Sequence, residues 1–162
     1  MGIDLLKTVT DDKIIKIVGG IFTVLNPERV INESGIDAVC VGEGEYALVE
    51  LCRSIQNGAI DTTIKNIWFK QDDRVIRNPT RTSMNIDEIP FQDWTSWEIP
   101  PRSCKPMAGR VRKTALVELS RGCPFRCSFC ANSYLNTTLE GHYRERSVDR
   151  FADEVDYLRS EH

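Results

Sequence analysis

The residues of this sequence best suited to do chemistry are three closely spaced cysteines, Cys123, Cys127 and Cys130. No secretion signal is visible, so the six cysteines of the chain indicate reduced thiols, and metal binding or reactivity before disulfides. Three thiols on one short loop can converge on a single polynuclear centre.

Four kinds of site use cysteines in such numbers. A structural zinc site needs four ligands, so Cys104 would have to join the cluster from the preceding segment. Ferredoxin-type clusters use four cysteines in a different order of spacings, and a disulfide would leave one of the three thiols over. The remaining interpretation is an iron–sulfur cube held by three thiolates, with one iron open to a substrate or cofactor.

The segments on either side of these cysteines are predicted to be a strand and a helix. Residues 114–119 have the composition of a buried strand that leads into the cysteine loop. After a long loop, Ser147 is a favourable N-cap for a helix with one apolar face. That face consists of Val148, Phe151, Ala152, Val155 and Leu158. One strand and one helix cannot close a core, so we expect an interrupted β/α fold in an internal fragment of a longer protein.

The first 60 residues alternate between predicted strands and helices. Strands are predicted at 14–18 and 37–41, an order typical of a parallel sheet covered by helices. Helices are predicted from 27 to 34, between the N-cap Asn26 and Gly35, and from 45 to a stop at 57–58. The second helix places four apolar residues at helical spacing: Ala47, Leu48, Leu51 and Ile55.

Both predicted strands end in glycine loops, Gly19-Gly20 and Gly42-Glu43-Gly44. In an open parallel sheet, ligands bind beyond the carboxyl ends of the strands, and glycine lets the backbone approach them closely. Either loop alone is also explained by a tight turn. Cys40 in the second strand and Cys52 in the next helix are expected to be packing residues.

The pattern changes near residue 61, where 64–70 and 74–77 flank a polar turn and predict a small hairpin. Residues 78–112 contain most of the prolines, with Trp94 and Trp97 among them, so we expect an ordered but irregular linker. The expected division is a partial α/β domain at 1–60, hairpin and linker at 61–112, and the start of a second domain at 113–162.

Composition and charge exclude several classes of protein. The 162 residues are 41% hydrophobic and 28% charged, as in a globular domain rather than a disordered tail. A net charge of −3 provides no positive field for nucleic acid, and the basic cluster Arg110, Arg112 and Lys113 is interpreted as solvated linker. No apolar run reaches the roughly 20 residues of a membrane helix. We therefore expect a cytoplasmic protein without a membrane span.

The motif C-x3-C-x2-C, with an aromatic residue before its last cysteine, resembles that of radical S-adenosylmethionine (SAM) enzymes. The preceding Ser-Arg-Gly and the Pro-Phe after the first cysteine match the flanks of the same motif. The resemblance implies that Cys123, Cys127 and Cys130 ligate three irons of a 4Fe-4S cluster, whose fourth iron binds SAM. It also implies that Phe129 contacts adenine. An electron from a donor such as flavodoxin or ferredoxin would then cleave SAM to methionine and a 5′-deoxyadenosyl radical.

The order of the other motifs resembles the subfamily of these enzymes that has a cobalamin-binding domain. Four short segments precede the cysteines in the order found in that subfamily. They are Gly19-Gly20, Pro27-Glu28, Gly42-Glu43-Gly44-Glu45 and the Ile-Asp-Glu-Ile-Pro segment at 86–90. The resemblance implies that the glycine loops border the nucleotide tail of cobalamin. The residues concerned are Gly19, Gly20, Gly42, Glu43 and Gly44. The corrinoid motif Asp-x-His-x-x-Gly does not occur in this sequence.

The implied fold is α/β. It comprises the C-terminal part of a Rossmann-like, parallel-sheet cobalamin-binding domain, a linker with a small hairpin, and the first β/α unit of a radical SAM (β/α) barrel. The implied activity is SAM-dependent radical chemistry on a small-molecule substrate, by methyl transfer or cyclisation. Two other classes stay open: an electron-transfer iron–sulfur module, and a zinc-stabilised interaction domain with Cys104 as fourth ligand.

Charged residues after the cysteine loop have a structural and a functional interpretation. Arg144 and Arg146 resemble basic positions that follow the cluster loop in radical SAM enzymes. We expect structural ion pairs, for example with Glu154, and direct contact with the cofactor is the alternative. His142 is expected to be an exposed loop residue.

Overall fold

A computed structural model describes residues 5–6, 8–11, 13–72, 74–93, 103–114 and 117–160. The chain divides into two compact units, the first containing residues 1–83 and 137–140, the second residues 84–136 and 141–162. Trp94, Trp97 and the side chain of Cys104 lie outside the described residues. In the described part of the chain, no helix has the length and apolar character needed to cross a bilayer.

The first unit contains a four-stranded sheet in the order β1-β2-β3-β4. Its strands are β1 (Ile17–Val18), β2 (Ala38–Cys40), β3 (Ile67–Gln71) and β4 (Arg74–Arg77). Only β1 and β2 are parallel, whereas β3 pairs antiparallel with β2 and with β4. We expected a fully parallel sheet, and this prediction is wrong, because the sheet is mixed. The hairpin expected in the linker segment forms two of its strands, because Ile67 and Phe69 alternate into the core.

Helices cover both faces of this sheet, as the α/β pattern predicts. They are α1 (Ile21–Leu25), α2 (Pro27–Ile31) and α3 (Glu45–Gln56). In β2, Ala38 and Cys40 belong to a core cluster that includes residues of α3, and Val39 to one that includes residues of α2. A strand that is buried on both faces must be apolar throughout, which explains the continuous run at 38–41.

The helix bounds agree with the sequence in part. The helix α3 ends at Gln56, with Asn57 as its C-cap, as predicted. Of the four apolar residues at helical spacing, Ala47 and Leu51 are buried, whereas Leu48 and Ile55 are exposed. The helix α2 stops at Ile31, earlier than predicted, and at its end both the backbone N–H and the side chain of Asn32 donate to the Glu28 carbonyl oxygen. Asn26 precedes α2 without a side-chain capping bond.

The second unit begins with a short 3₁₀ helix at Ile86–Glu88, followed by the hairpin of β5 (Ser103–Met107) and β6 (Arg110–Thr114). We expected this linker to be irregular, but over these residues it forms regular secondary structure. At the turn, Ala108 and Gly109 have φ values of 51° and 72°, the left-handed pair that a two-residue hairpin loop needs. Alanine is an unusual residue there, which explains why sequence reasoning missed the turn. The basic cluster lies on β6, where Arg110 is exposed.

The remaining elements surround the cysteines. They are β7 (Ser120–Arg121), α4 (Ala131–Thr138), β8 (Arg144–Glu145) and α5 (Val148–Ser160). Residues 117–119 lie outside any strand, so the strand predicted at 114–119 is wrong over that part, while 115–116 lie outside the described residues. The short β7 pairs antiparallel with β8, since a strand forms only where a neighbour takes its backbone hydrogen bonds. The long loop that we expected also contains α4.

Candidate functional site

The cysteine loop connects β7 to α4, at 122–130. Cys123 and Cys130 are half-buried, Cys127 is exposed, and all three are free thiols. Phe129 is 91% exposed, so its ring is accessible to a ligand, as an adenine-contacting residue would have to be. The loop thus presents soft sulfur ligands and an aromatic face on one accessible segment.

Gly122 fixes where the loop begins. It has a φ of +83°, and a Cβ at this position would lie 2.6 Å from the His142 carbonyl oxygen. No side chain fits that distance, so only glycine permits β7 to approach the segment that leads into β8. The glycine of the Ser-Arg-Gly sequence is therefore required by backbone packing.

Three polar residues of α4 contact the three cysteines, one each. The Asn136 side chain donates to the Cys123 carbonyl oxygen at 2.8 Å, and the Ser133 hydroxyl donates to the Cys127 carbonyl oxygen at 2.7 Å. The Asn132 amide donates to the Cys130 sulfur at 3.7 Å. Sequence reasoning missed these residues, although polar side chains at 132, 133 and 136 recur at helical spacing directly after the motif.

The donor set of the loop fits an iron–sulfur cluster. Thiolates are the usual ligands of such clusters, and the loop offers three that are accessible and free of disulfides. Within the described residues, no three His, Cys, Asp or Glu side chains form a group that could hold a metal ion.

The two arginines after the loop have separate roles. Arg146 forms an ion pair with Glu154 in which both side chains are 3% exposed, so the expected structural pair is confirmed. Arg144 donates to backbone carbonyl oxygens, those of Met84 at 2.6 Å and His142 at 2.8 Å. The exposed position expected for His142 is wrong, because it is half-buried with Nε2 3.1 Å from the Asn132 Oδ1.

The segment Ile-Asp-Glu-Ile-Pro at 86–90 positions α5. Asp87 accepts a hydrogen bond from the Ser147 backbone N–H at 2.9 Å, which holds the pKa of this carboxyl below its usual range. Arg150 donates to the Ile89 carbonyl oxygen at 3.1 Å and lies 3.8 Å from the centre of the Phe91 ring. Ser147 caps the helix as predicted, by accepting from the Arg150 backbone N–H at 3.2 Å.

The two glycine loops of the first unit lie at the same sheet edge, because β1 and β2 are parallel neighbours. Gly42 has a φ of +116°, and a Cβ there would lie 3.4 Å from the Asn66 side chain. Asn66 is 2% exposed and donates to the Glu43 carbonyl oxygen at 2.8 Å. Gly20 also has a positive φ, whereas Gly19 and Gly44 do not. The fold thus brings the predicted loop residues to one edge, and Asn66 holds the second loop in place.

The other cysteines differ from each other in their environment. Cys40 is buried, as expected, and burial raises its pKa to about 11. Cys52 is exposed on α3, so its expected packing role is wrong. Helical spacing alone does not distinguish the buried face of α3 from its edges.

Comparisons with known proteins identify relatives along most of the chain. No family model matches. The chain is 32% identical over 154 residues to an uncharacterized methyltransferase of Pyrococcus horikoshii, a match that covers 94% of this chain and 32% of the relative. It is 30% identical over 166 residues to the anaerobic magnesium-protoporphyrin IX monomethyl ester cyclase of Rubrivivax gelatinosus, covering 99% of this chain and 28% of that protein. The chain thus spans about a third or less of these relatives.

Two solved structures have a similar fold. Both are of the radical SAM methyltransferase TsrM from Kitasatospora setae, one with tryptophan and a SAM analogue, the other with cobalamin and a [4Fe-4S] cluster. The TM-scores are 0.54 and 0.55 at 22% and 21% identity, and each match covers 90% of this chain and 28% of TsrM. The fold of this chain is therefore similar to that of a radical SAM methyltransferase, the class of enzyme whose motif the cysteine segment resembles.

Proposed function

We propose that this chain carries the cluster-binding region of a radical SAM enzyme linked to cobalamin, which acts on a small molecule by methyl transfer or cyclisation. The cysteine loop is the observation that carries the proposal, since three free thiols lie on one short loop between β7 and α4. The names of the relatives, a methyltransferase and a ring-forming cyclase, support these two outcomes.

In this proposal Cys123, Cys127 and Cys130 hold the cluster as thiolates, and Phe129 contacts the adenine of SAM. A 4Fe-4S cluster supplies the electron, received from a donor such as flavodoxin or ferredoxin, that cleaves SAM reductively. Asn136 and Ser133 hold the loop backbone from α4, which restricts the conformations of the segment that carries the sulfurs.

Anaerobic reconstitution with iron and sulfide tests the proposal. We expect a brown protein with about four irons per chain, the count that a cubane requires, and an electron paramagnetic resonance signal that changes when SAM is added. Alanine at Cys123, Cys127 or Cys130 should abolish the signal. Cys52→Ala is the matched control, because Cys52 is a free thiol outside the motif. A wild-type chain without iron, or a cluster that survives loss of a motif cysteine, would contradict the proposal.

The alternative classes give different results in the same experiment. An electron-transfer module would bind iron but would not respond to SAM, and a zinc domain would take up zinc without a cluster spectrum. Cys104→Ala separates three-ligand from four-ligand sites, because it leaves the proposed cluster intact and removes a ligand from either alternative.

Cobalamin binding is tested at the glycine loops of the first unit. We expect Gly42→Ala to weaken binding of hydroxocobalamin, followed by its absorption spectrum, because the loop must deform around Asn66. Gly58→Ala is the matched control, since Gly58 also has a positive φ, +84°, but a Cβ there meets nothing within 4 Å. Equal affinity in both variants would count against a role of the Gly42 loop.

A further inference from the structure

We infer that Asn132, oriented by His142, donates a hydrogen bond to the Cys130 sulfur and thereby raises the reduction potential of the cluster bound there. This inference rests on the proposed function, because it needs Cys130 to be a cluster ligand. It adds a specific role for two residues outside the cysteine motif.

The orientation of the Asn132 amide follows from its two contacts. Its Oδ1 lies 3.1 Å from the His142 Nε2, and its Nδ2 lies 3.7 Å from the Cys130 sulfur. An amide oxygen can only accept, so this pairing requires the His142 tautomer with its proton on Nε2. In the His142 tautomer that carries its proton on Nε2, this bond holds the amide with its N–H groups, rather than its oxygen, toward the sulfur.

A donor at the sulfur changes the redox balance of a cluster. Reduction adds negative charge that is spread onto the thiolate ligands, and an N–H group stabilises that charge. Ser133 and Asn136 donate to carbonyl oxygens of the loop, so they hold its backbone without contacting a sulfur. Of these three residues, Asn132 is the one whose side chain contacts the sulfur itself, and His142 is its positioning residue.

The test is a redox titration of the reconstituted chain, followed by the paramagnetic signal of the reduced cluster. Asn132→Ala should lower the reduced-to-oxidised ratio at a fixed potential by roughly two- to tenfold, the range expected from one net hydrogen bond. Asn132→Asp, which keeps the shape and the acceptor for His142, should lower the ratio further because a carboxylate faces the sulfur. Iron content and circular dichroism identify any variant that fails to fold.

Two comparisons separate this role from general loosening of the loop. Asn136→Ala removes a matched asparagine of the same helix that holds a carbonyl oxygen of the loop, so it measures the effect of loosening the loop and should lower the ratio less than Asn132→Ala does. His142→Ala should lower the ratio in the wild-type background but have no further effect in Asn132→Ala. Equal shifts for Asn132→Ala and Asn136→Ala, or additive effects of His142 and Asn132, would overturn the inference.

The proposed function and this inference fail differently. A wild-type chain without a cluster contradicts the proposed function. If the wild-type cluster responds to SAM but has the same reduction potential as the cluster of Asn132→Ala, only the inference is contradicted. Selective ¹⁵N labelling of asparagine side chains gives an independent measurement, because the hydrogen bond should produce a nitrogen coupling to the reduced cluster that Asn132→Ala abolishes.

Discussion

The cysteines of this chain differ in burial, and therefore in how readily their thiols can react or bind a metal. Cys40 lies under the Gly42 loop, with its sulfur 3.9 Å and 3.8 Å from the carbonyl oxygens of Gly42 and Glu43. The cysteines of the motif instead lie on an accessible loop. Reactive and ligand cysteines need access and thiolate character, which Cys40 lacks.

Cys40 makes the stability of the first unit sensitive to alkaline pH. Burial raises its pKa from 9.0 to about 11, so the folded chain keeps a proton that the unfolded chain releases. Stability contributed by this group is complete below about pH 9 and falls between pH 9 and 11. Urea unfolding at pH 7 and pH 10 should therefore show a larger loss for the wild type than for Cys40→Ala. An equal loss in both would contradict the assignment.

Gly122→Ala should destabilise the second unit more than Gly109→Ala. Both glycines have a positive φ, +83° and +72°, so both substitutions carry the left-handed cost of about 1–2 kcal/mol. Only at Gly122 does the added Cβ also meet backbone, at 2.6 Å from the His142 carbonyl oxygen. Thermal unfolding and iron uptake measure the difference. Equal effects of the two substitutions would mean that the β7–β8 approach is not required.

At the scale of elements, sequence patterns predicted those whose signals are local. The helix α3 and the Ser147 cap follow from apolar spacing and from a hydroxyl at the right position. The helix α4 was missed because its residues, Ala-Asn-Ser-Tyr-Leu-Asn-Thr-Thr, have few strong helix formers and a single buried apolar residue, Leu135. Its side-chain bonds to the cysteine loop are tertiary contacts, which no local pattern reports.

The buried pair Arg146–Glu154 ties α5 to the segment before it. Glu154→Ala should destabilise the second unit by about 3–5 kcal/mol, because it leaves the Arg146 charge buried without a partner. The double variant Arg146→Met with Glu154→Leu should recover most of that loss, since apolar residues of similar volume need no partner. Urea unfolding of the three proteins measures this. A double variant as unstable as Glu154→Ala would show that the ion pair itself stabilises the fold, beyond each charge neutralising the other.

For the whole molecule, the candidate site could be predicted further than the fold. The spacing of Cys123, Cys127 and Cys130 and the identity of Phe129 are properties of the sequence, so the resemblance and the site that it implies could be stated from the sequence alone. The mixed sheet could not be predicted in the same way, because the antiparallel pairing of Ala38 with Phe69 joins segments that are distant in the chain. Register of this kind depends on which faces are buried after folding.

The division into two units predicts where cluster binding stabilises the chain. A ligand that binds only the folded state stabilises the unit that contains its site, so hydrogen exchange should slow at 117–136 and 141–160 after reconstitution and stay unchanged at 36–71. Mass spectrometry of the exchanged peptides measures both units, and Cys127→Ala is the control in which neither should change. Equal slowing in the two units would show that the units unfold as one, and that the cysteine loop stabilises the sheet of the first unit as well.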